Sequence, residues 1–582
     1  MSKTDCFRDK IDVIAASSRD LEKQLVKLFT YPGIIPENDI RSGKLFRLFV
    51  GYLFRDPDGL QAQTIIEEKD YLSLSYQGDH SNYFTQCYKP YQKLCKRIHF
   101  FGEAFDKDDF LDMLAEDGHM KRWNSYLGYI VIKPLTRGIF GATLLKPYAQ
   151  RNNRFYTAVR KYPVNIFGKQ LFLTTMAFTE QDQVVSNCAT ASLWFTFHGT
   201  GELFRTRIPD LSDITLSAGA DAYYSTRLFP SKSLEINQIT RAITANDLQP
   251  EIVLDNTYLQ SNAWLKSIIY AYSRMGIPVL LGIDIQEYGG HQVTVNGYRF
   301  ADRQKRSKGP VKFKTESILG DIELVSHGIE KFYAHDDQLG PFSRLEFITE
   351  TEREPRKSSI AEEEQPGNEV GLPSTEDIKN DGVQEKDDME DNNLEQFNTS
   401  WWKDPRKGNE VLKAYATHVI VPLKKSIRLV FQNIYDEVAI LNKCLPKELD
   451  NIGYPLEKIQ WDIYLNTKGI YKSDLMKELR NMSVPSDHSS RQILFSSIPE
   501  YIWVVKGYFE VGGVKTLLFD ILYDAADAIV INNAFFTVFY DDNFYHSIKK
   551  NLLDKKGNFQ FKSYSSIRKD KSSSKSVKID TE

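Results

Sequence analysis

Glu180-Gln-Asp-Gln-Val-Val-Ser-Asn-Cys188-Ala-Thr-Ala-Ser-Leu-Trp194-Phe195 is the stretch on which the fold turns. Ser186 and Asn187 are good N-cap residues, and the small and apolar residues after them suit a helix. The pattern predicts a helix that opens at Cys188 and ends near Gly199 or Gly201. In that first turn the unpaired backbone N–H groups and the positive end of the helix dipole favour a thiolate over a thiol. A thiolate is a nucleophile. The Cys188 N–H would then serve as one oxyanion donor, and Gln183 could supply a side-chain amide as a second, with Gln181 as its rival.

A cysteine nucleophile needs a base and a group to orient that base. Downstream, Ile277-Pro-Val-Leu-Leu-Gly-Ile-Asp284 reads as a strand. Gly289-Gly290-His291-Gln-Val-Thr-Val-Asn-Gly297-Tyr298 follows, so His291 opens a strand after two glycines that permit close backbone approach. Glu330-Lys-Phe-Tyr-Ala-His335-Asp336-Asp337 then delivers carboxylates at a strand end, before Gly340-Pro341. Taken singly, each signal has a plainer explanation. A cysteine at a helix start is more often a small buried hydrophobe. A histidine after Gly-Gly is more often a turn or core residue, and Asp-Asp before Gly-Pro is usually a turn. The order of all three, helix-start Cys, strand-opening His, strand-closing Asp, is what points to a triad.

The arrangement resembles the papain-like cysteine peptidases, most closely the bacterial branch related to bacteriocin-leader processing peptidases. His291-Gln-Val-Thr-Val-Asn-Gly-Tyr298 is similar to that branch's H-x-V-x-V-x-G-Y pattern, and Tyr333-Ala-His-Asp336 to its tyrosine–x–x–aspartate. The resemblance covers about residues 180–345. It implies Cys188 as nucleophile, His291 as general base and acid, Asp336 (with Asp337 as alternative) as orienting carboxylate, and Gln183 as oxyanion donor. The chain departs from the branch at Ala189, where glycine is common. The implied chemistry is hydrolysis of a peptide or isopeptide bond through a thioester, with amidase or acyltransferase chemistry on the same parts. A non-enzymatic interaction module with a papain-like core is the competing expectation, and a large protease with extra domains fits a bacterial defence or stress setting.

Working outward, the fold class expected is α+β: a papain-like core over 171–349, an N-terminal α+β region over 1–170 and a separate C-terminal α+β domain over 401–548. Val131-Ile-Lys-Pro-Leu135 and Leu144-Leu-Lys-Pro-Tyr148 read as the two arms of a hairpin. Residues 350–400 hold 16 Asp and Glu against 5 Lys and Arg, a local net of −11. With hardly any aliphatics, the segment reads as a disordered acidic linker. Residues 549–582 hold 10 Lys and Arg against 4 Asp and Glu, a net of +6, and read as a flexible basic tail. The tail is the one feature that could touch nucleic acid, and its default role is solubilising. Arg303 to Gly309 is a further basic stretch, read as a hairpin tip.

Across all 582 residues the net charge is only −4, and apolar residues make up 41%. That composition excludes a wholly disordered or fibrous chain. No apolar run is long enough to span a bilayer. The five scattered cysteines point away from a disulfide scaffold and toward a reducing compartment, the cytoplasm. Cys87, Cys95 and His99 lack zinc spacing, and Asp520, Asp524 and Asp527 read as a solvated strand end, so no metal or cofactor is expected. Trp401-Trp402 reads as the start of the C-terminal domain. The expected partner is a protein or peptide substrate.

Overall fold

The computed structural model describes residues 10–560, apart from short gaps and the longer segments 220–232, 255–260, 302–321, 348–395 and 404–410. Its architecture is mixed α+β with several sheets. The first sheet is an antiparallel meander of β1 (Ile11–Ala15), β2 (Thr64–Tyr71), β3 (Cys95–Phe101), β4 (Tyr126–Ile132) and β5 (Phe140–Leu145). β4 and β5 are the predicted hairpin. β3 and β4 are buried nearly throughout, which is why they read as continuous apolar runs rather than alternating ones.

The central sheet carries the candidate site. Its strands are β6 (Arg154–Tyr156), β9 (Leu248–Val253), β10 (Val279–Ile285), β11 (Gly289–Phe300), β13 (Ile329–Asp336), β14 (Gly340–Phe347), β15 (Gln396–Lys403) and β16 (Val411–Lys424). β16 pairs back onto β10, so β10, β11, β13, β14, β15 and β16 close into an antiparallel barrel, with β6 added to β11 and β9 to β16. A separate hairpin, β7 (Arg160–Ile166) with β8 (Lys169–Thr175), precedes the site.

The third sheet runs β12 (Glu323–Leu324), β17 (Ile459–Thr467), β18 (Tyr501–Val511), β19 (Val514–Asp524) and β20 (Ala534–Phe539). It contains a buried ionic cluster. Lys506 Nζ lies 2.8 Å from Glu478 and 3.1 Å from Asp520, while the Tyr471 and Tyr540 hydroxyls donate to Asp520 at 3.1 and 2.8 Å. Asp520, expected on a solvated strand end, is wholly buried. Lys506 lies opposite it in the ladder and supplies the countercharge.

Several expected boundaries move. The break at 170 cuts the β7–β8 hairpin. The C-terminal unit is not separate: β12, from the middle of the chain, pairs in parallel with β17, and the Arg274 guanidinium sits 4.9 Å from the Tyr464 ring. Strands β15 and β16, assigned in part to the linker and in part to the C-terminal domain, belong to the central barrel, and Trp401-Trp402 lies in β15. The rest of the acidic linker, the basic stretch 303–309 and tail residues 561–582 lie outside the described residues. The first part of the tail is packed, not free: Phe559 meets Phe519 at 4.9 Å and Phe539 at 5.8 Å. Its apolar residues outweigh the lysines around them, which keep their charges in solvent.

The loop that precedes β2 is tied to the barrel by ion pairs. Arg154, nearly fully buried, reaches Asp58 at 3.0 Å, and Arg344 reaches Asp56 at 3.1 Å. Tyr148 lies under both guanidinium groups. Among the described residues no helix is long and apolar enough to cross a membrane.

Candidate active site

The Cys188–Phe204 helix begins as the sequence predicts. Asn187 is its N-cap, and the Asn187 side chain accepts from the Thr190 N–H at 3.1 Å. Cys188 is the first helical residue, so its N–H has no carbonyl within the helix to bond. The helix does not end at Gly199 or Gly201 but runs to Phe204, with Arg205 in the left-handed region at φ 58°. The glycines serve packing instead. A Cβ on Gly199 would lie 2.3 Å from Pro278, and one on Gly201 2.8 Å from Ile208.

Polar side chains lock this helix to the strand that carries the histidine. Ser192 Oγ donates to the Gln292 carbonyl at 2.8 Å, and Thr294 Oγ1 donates to the Ser192 carbonyl at 2.8 Å. These two bonds fix the height of Cys188 against His291. The loop before the helix is organised by Asp182, which the sequence reading passes over. Its Oδ1 accepts from the N–H groups of Val184, Val185 and Ser186 at 3.0, 2.8 and 3.0 Å. Thr215 Oγ1 holds the Val185 carbonyl at 2.8 Å. An aspartate followed by short-range N–H donors is the signal of an Asx-type turn, and it could have been read there.

His291 is the third residue of β11 and 7% exposed. Its Nε2 lies 3.0 Å from Asp336 Oδ1. The Cys188 thiol neighbours the ring and helps to raise its pKa. With Nε2 committed to Asp336, the nitrogen left for the thiol is Nδ1. Burial of the ring favours its neutral form, but Asp336, the thiol contact and Asp337 outweigh it and raise the pKa well above the ordinary value. Burial pushes Asp336 the other way too, yet the charge and hydrogen bond of His291 hold its pKa below the usual value. The pair is thus arranged as imidazolium and carboxylate.

Asp336 ends β13, as predicted, and the turn reading also holds. The same Oδ1 accepts from the Gln338 and Leu339 N–H groups at 2.9 and 3.2 Å. The turn is what freezes the carboxylate toward the imidazole. Asp337, the alternative, lies farther, at 3.8 Å from Nε2. It is fully buried, and burial, partly offset by His291 and reinforced by Asp336, pushes its pKa up to about 7.

Gln183 is not brought into this group. It adopts φ 60°, its side chain is exposed, and its Oε1 accepts from Arg137 at 3.4 Å. The tight turn on Asp182 swings residue 183 outward. Gln181 is half-buried on the same loop. Cys87, Cys95, Cys188 and Cys444 are all free thiols. Cys95 is buried in the first sheet with its pKa pushed up to about 12 by desolvation, whereas Cys188 remains partly accessible. Among the described residues, one group of metal-ligating types converges: His291, Asp336 and Asp337, whose ligand atoms lie within 4.8 Å of one another.

No protein-family model, no curated protein and no solved structure matches the chain.

Proposed function

We propose that the chain is a papain-like thiol hydrolase that cleaves a peptide or isopeptide bond. The observation that carries this reading is one imidazole bridging a helix-start thiol and a buried carboxylate, Cys188–His291–Asp336. The Cys188 thiolate attacks the carbonyl carbon, and the Cys188 N–H holds the developing oxyanion. His291 Nδ1–H gives its proton to the leaving amine, which departs and leaves a thioester. His291, now neutral, takes a proton from water as the water attacks, and the thiolate and imidazolium are restored. Asp336 fixes the ring and stabilises its charged form. A reducing compartment, the cytoplasm, suits a site that depends on a free thiol.

The test is selective labelling. A thiol-directed electrophile at low molar excess is expected to modify Cys188 ahead of Cys6, Cys87, Cys95 and Cys444, as read by mass spectrometry of the peptides. His291→Ala should slow labelling more than tenfold. Unselective labelling, or full reactivity in His291→Ala, rejects the proposal. Comparison of cellular proteins cleaved by wild type and by Cys188→Ala would then name the substrate.

A further inference from the structure

Asp337 is not needed to orient His291, because Asp336 already does so at 3.0 Å. Yet Asp337 is wholly buried, its Oδ1 faces His291 Nε2 at 3.8 Å, and neither oxygen has a hydrogen-bond partner beyond its own main-chain N–H. Asp336 Oδ2 is likewise buried without a partner. A buried carboxylate left in this state is costly, and a bound ion is one of the few things that repays it.

We infer that His291 Nε2, Asp336 and Asp337 form a binding site for a divalent cation of the zinc class. The chemistry of the donor set fits: one imidazole nitrogen and two carboxylates are ligands zinc accepts. The two separations from Nε2 fit as well. Zinc–nitrogen and zinc–oxygen bonds of about 2.0–2.2 Å at tetrahedral angles set ligand atoms about 3.3 Å apart. The observed 3.0 and 3.8 Å separations from Nε2 bracket that value.

Binding displaces the Nε2 proton to solvent and puts the metal where that proton sat. The ring's remaining proton is then on Nδ1, facing Cys188. Giving it to a leaving group would create a zinc-bound imidazolate, a far less accessible species than the neutral imidazole that Asp336 supports in the metal-free site. Occupancy therefore stops the proton cycle and turns the hydrolase off. The inhibitory consequence rests on the thiol hydrolase reading; the binding itself does not.

The experiment uses zinc chloride and the full-length chain with Cys188→Ala, so that the thiol cannot be the ligand. Titration against a chromogenic zinc chelator is expected to show one zinc per chain. In the Cys188→Ala background, affinity should fall more than tenfold with Asp337→Asn and with His291→Ala. Anomalous scattering at the zinc edge from soaked Cys188→Ala crystals should place the ion between residues 291, 336 and 337. This second measurement stands if either double variant fails to fold. No zinc bound to Cys188→Ala, equal affinity after Asp337→Asn in a folded protein, or an ion found elsewhere overturns the site. In the wild type, zinc should suppress peptide hydrolysis at least tenfold and EDTA should restore it. Zinc binding without suppression overturns the inhibitory role. Failure of Cys188 labelling in metal-free protein would count against the hydrolase reading and leave the binding result untouched.

Discussion

Two buried clusters of charge sit on antiparallel sheets in this chain, and they are finished differently. In the Lys506 cluster no buried side-chain polar atom of Lys506, Glu478 or Asp520 lacks a partner: Glu478 and Asp520 flank the ammonium, and two tyrosine hydroxyls complete Asp520. Around His291 the complement is partial. Asp336 is satisfied on one oxygen, Asp337 has no side-chain partner, and the thiol on the far side of the ring is partly open. A closed network can only hold a sheet together. An open one next to an accessible nucleophile has capacity left for a substrate, a proton or an ion.

The sharpest way to break the comparison is to damage each cluster and read both activity and stability. Cys188→Ala should abolish hydrolysis while unfolding near the wild-type denaturant midpoint, and Asp336→Asn should lower hydrolysis about 10³-fold or more. Lys506→Met should do the opposite. It leaves Asp520 buried without its cation and should cost about 3–5 kcal/mol of stability, measured by denaturant unfolding, with Cys188 labelling unchanged in the folded protein. Loss of labelling in a folded Lys506→Met protein would join the two clusters into one functional unit.

A pH series separates them further. Asp79, Glu180 and Asp337 are each pushed up to about 7, mainly by burial. The unfolded chain releases these protons near pH 4, whereas the folded chain keeps them to about pH 7. At these three sites the folded state binds more protons in that window, so their contribution to stability falls as pH rises from about 4 to about 7. His291, with its raised pKa, contributes in the same sense, since its stabilisation is complete below about 6.5 and is lost only as pH passes the folded value. Asp336, with its lowered pKa, loses its contribution only when pH falls below the ordinary aspartate range. In denaturant midpoints measured from pH 5 to 8, wild type should lose stability relative to Asp337→Asn as pH rises, because only the wild type carries the raised Asp337 carboxyl.

Smaller effects test the local construction. Asn187→Ala removes the helix cap and should cost about 1 kcal/mol, seen as a lower thermal midpoint. Gln183→Ala should change hydrolysis less than twofold, because the side chain faces Arg137 rather than the thiol. A large loss of activity there would return Gln183 to the oxyanion site.

What could be read from the sequence follows from the range of the interactions. Cys188, His291 and Asp336 were legible because each sits at an element boundary marked by local chemistry: an Asn cap, two glycines, a turn. Gly199 and Gly201 misled because their role lies in distant partners, Pro278 and Ile208. Gln183 failed because Asp182 governs its loop, and a one-residue difference on a tight turn reverses the direction of a side chain. Residues 417–422 read as a strand, but the place of β15 and β16 in the central barrel was hidden because barrel closure joins segments separated by the long acidic stretch. No periodicity within either segment records that pairing. The Lys506–Asp520 pair was missed because the two residues face each other only through the register of the β18–β19 hairpin.

Barrel closure by β16 also sets a schedule. Ribosomes deliver the chain from its N-terminus, so Cys188, His291 and Asp336 all emerge before residues 396–424. Until those last strands arrive, β10 lacks its partner in β16 and the barrel stays open. The nascent protein therefore holds its thiol in an unfinished frame until residues 396–424 are made. By the same topology, a cut anywhere in 348–395 would leave two fragments clasped by the β10–β16 and β9–β16 ladders. Such a nicked protein would travel as one particle on a sizing column and part only in denaturant.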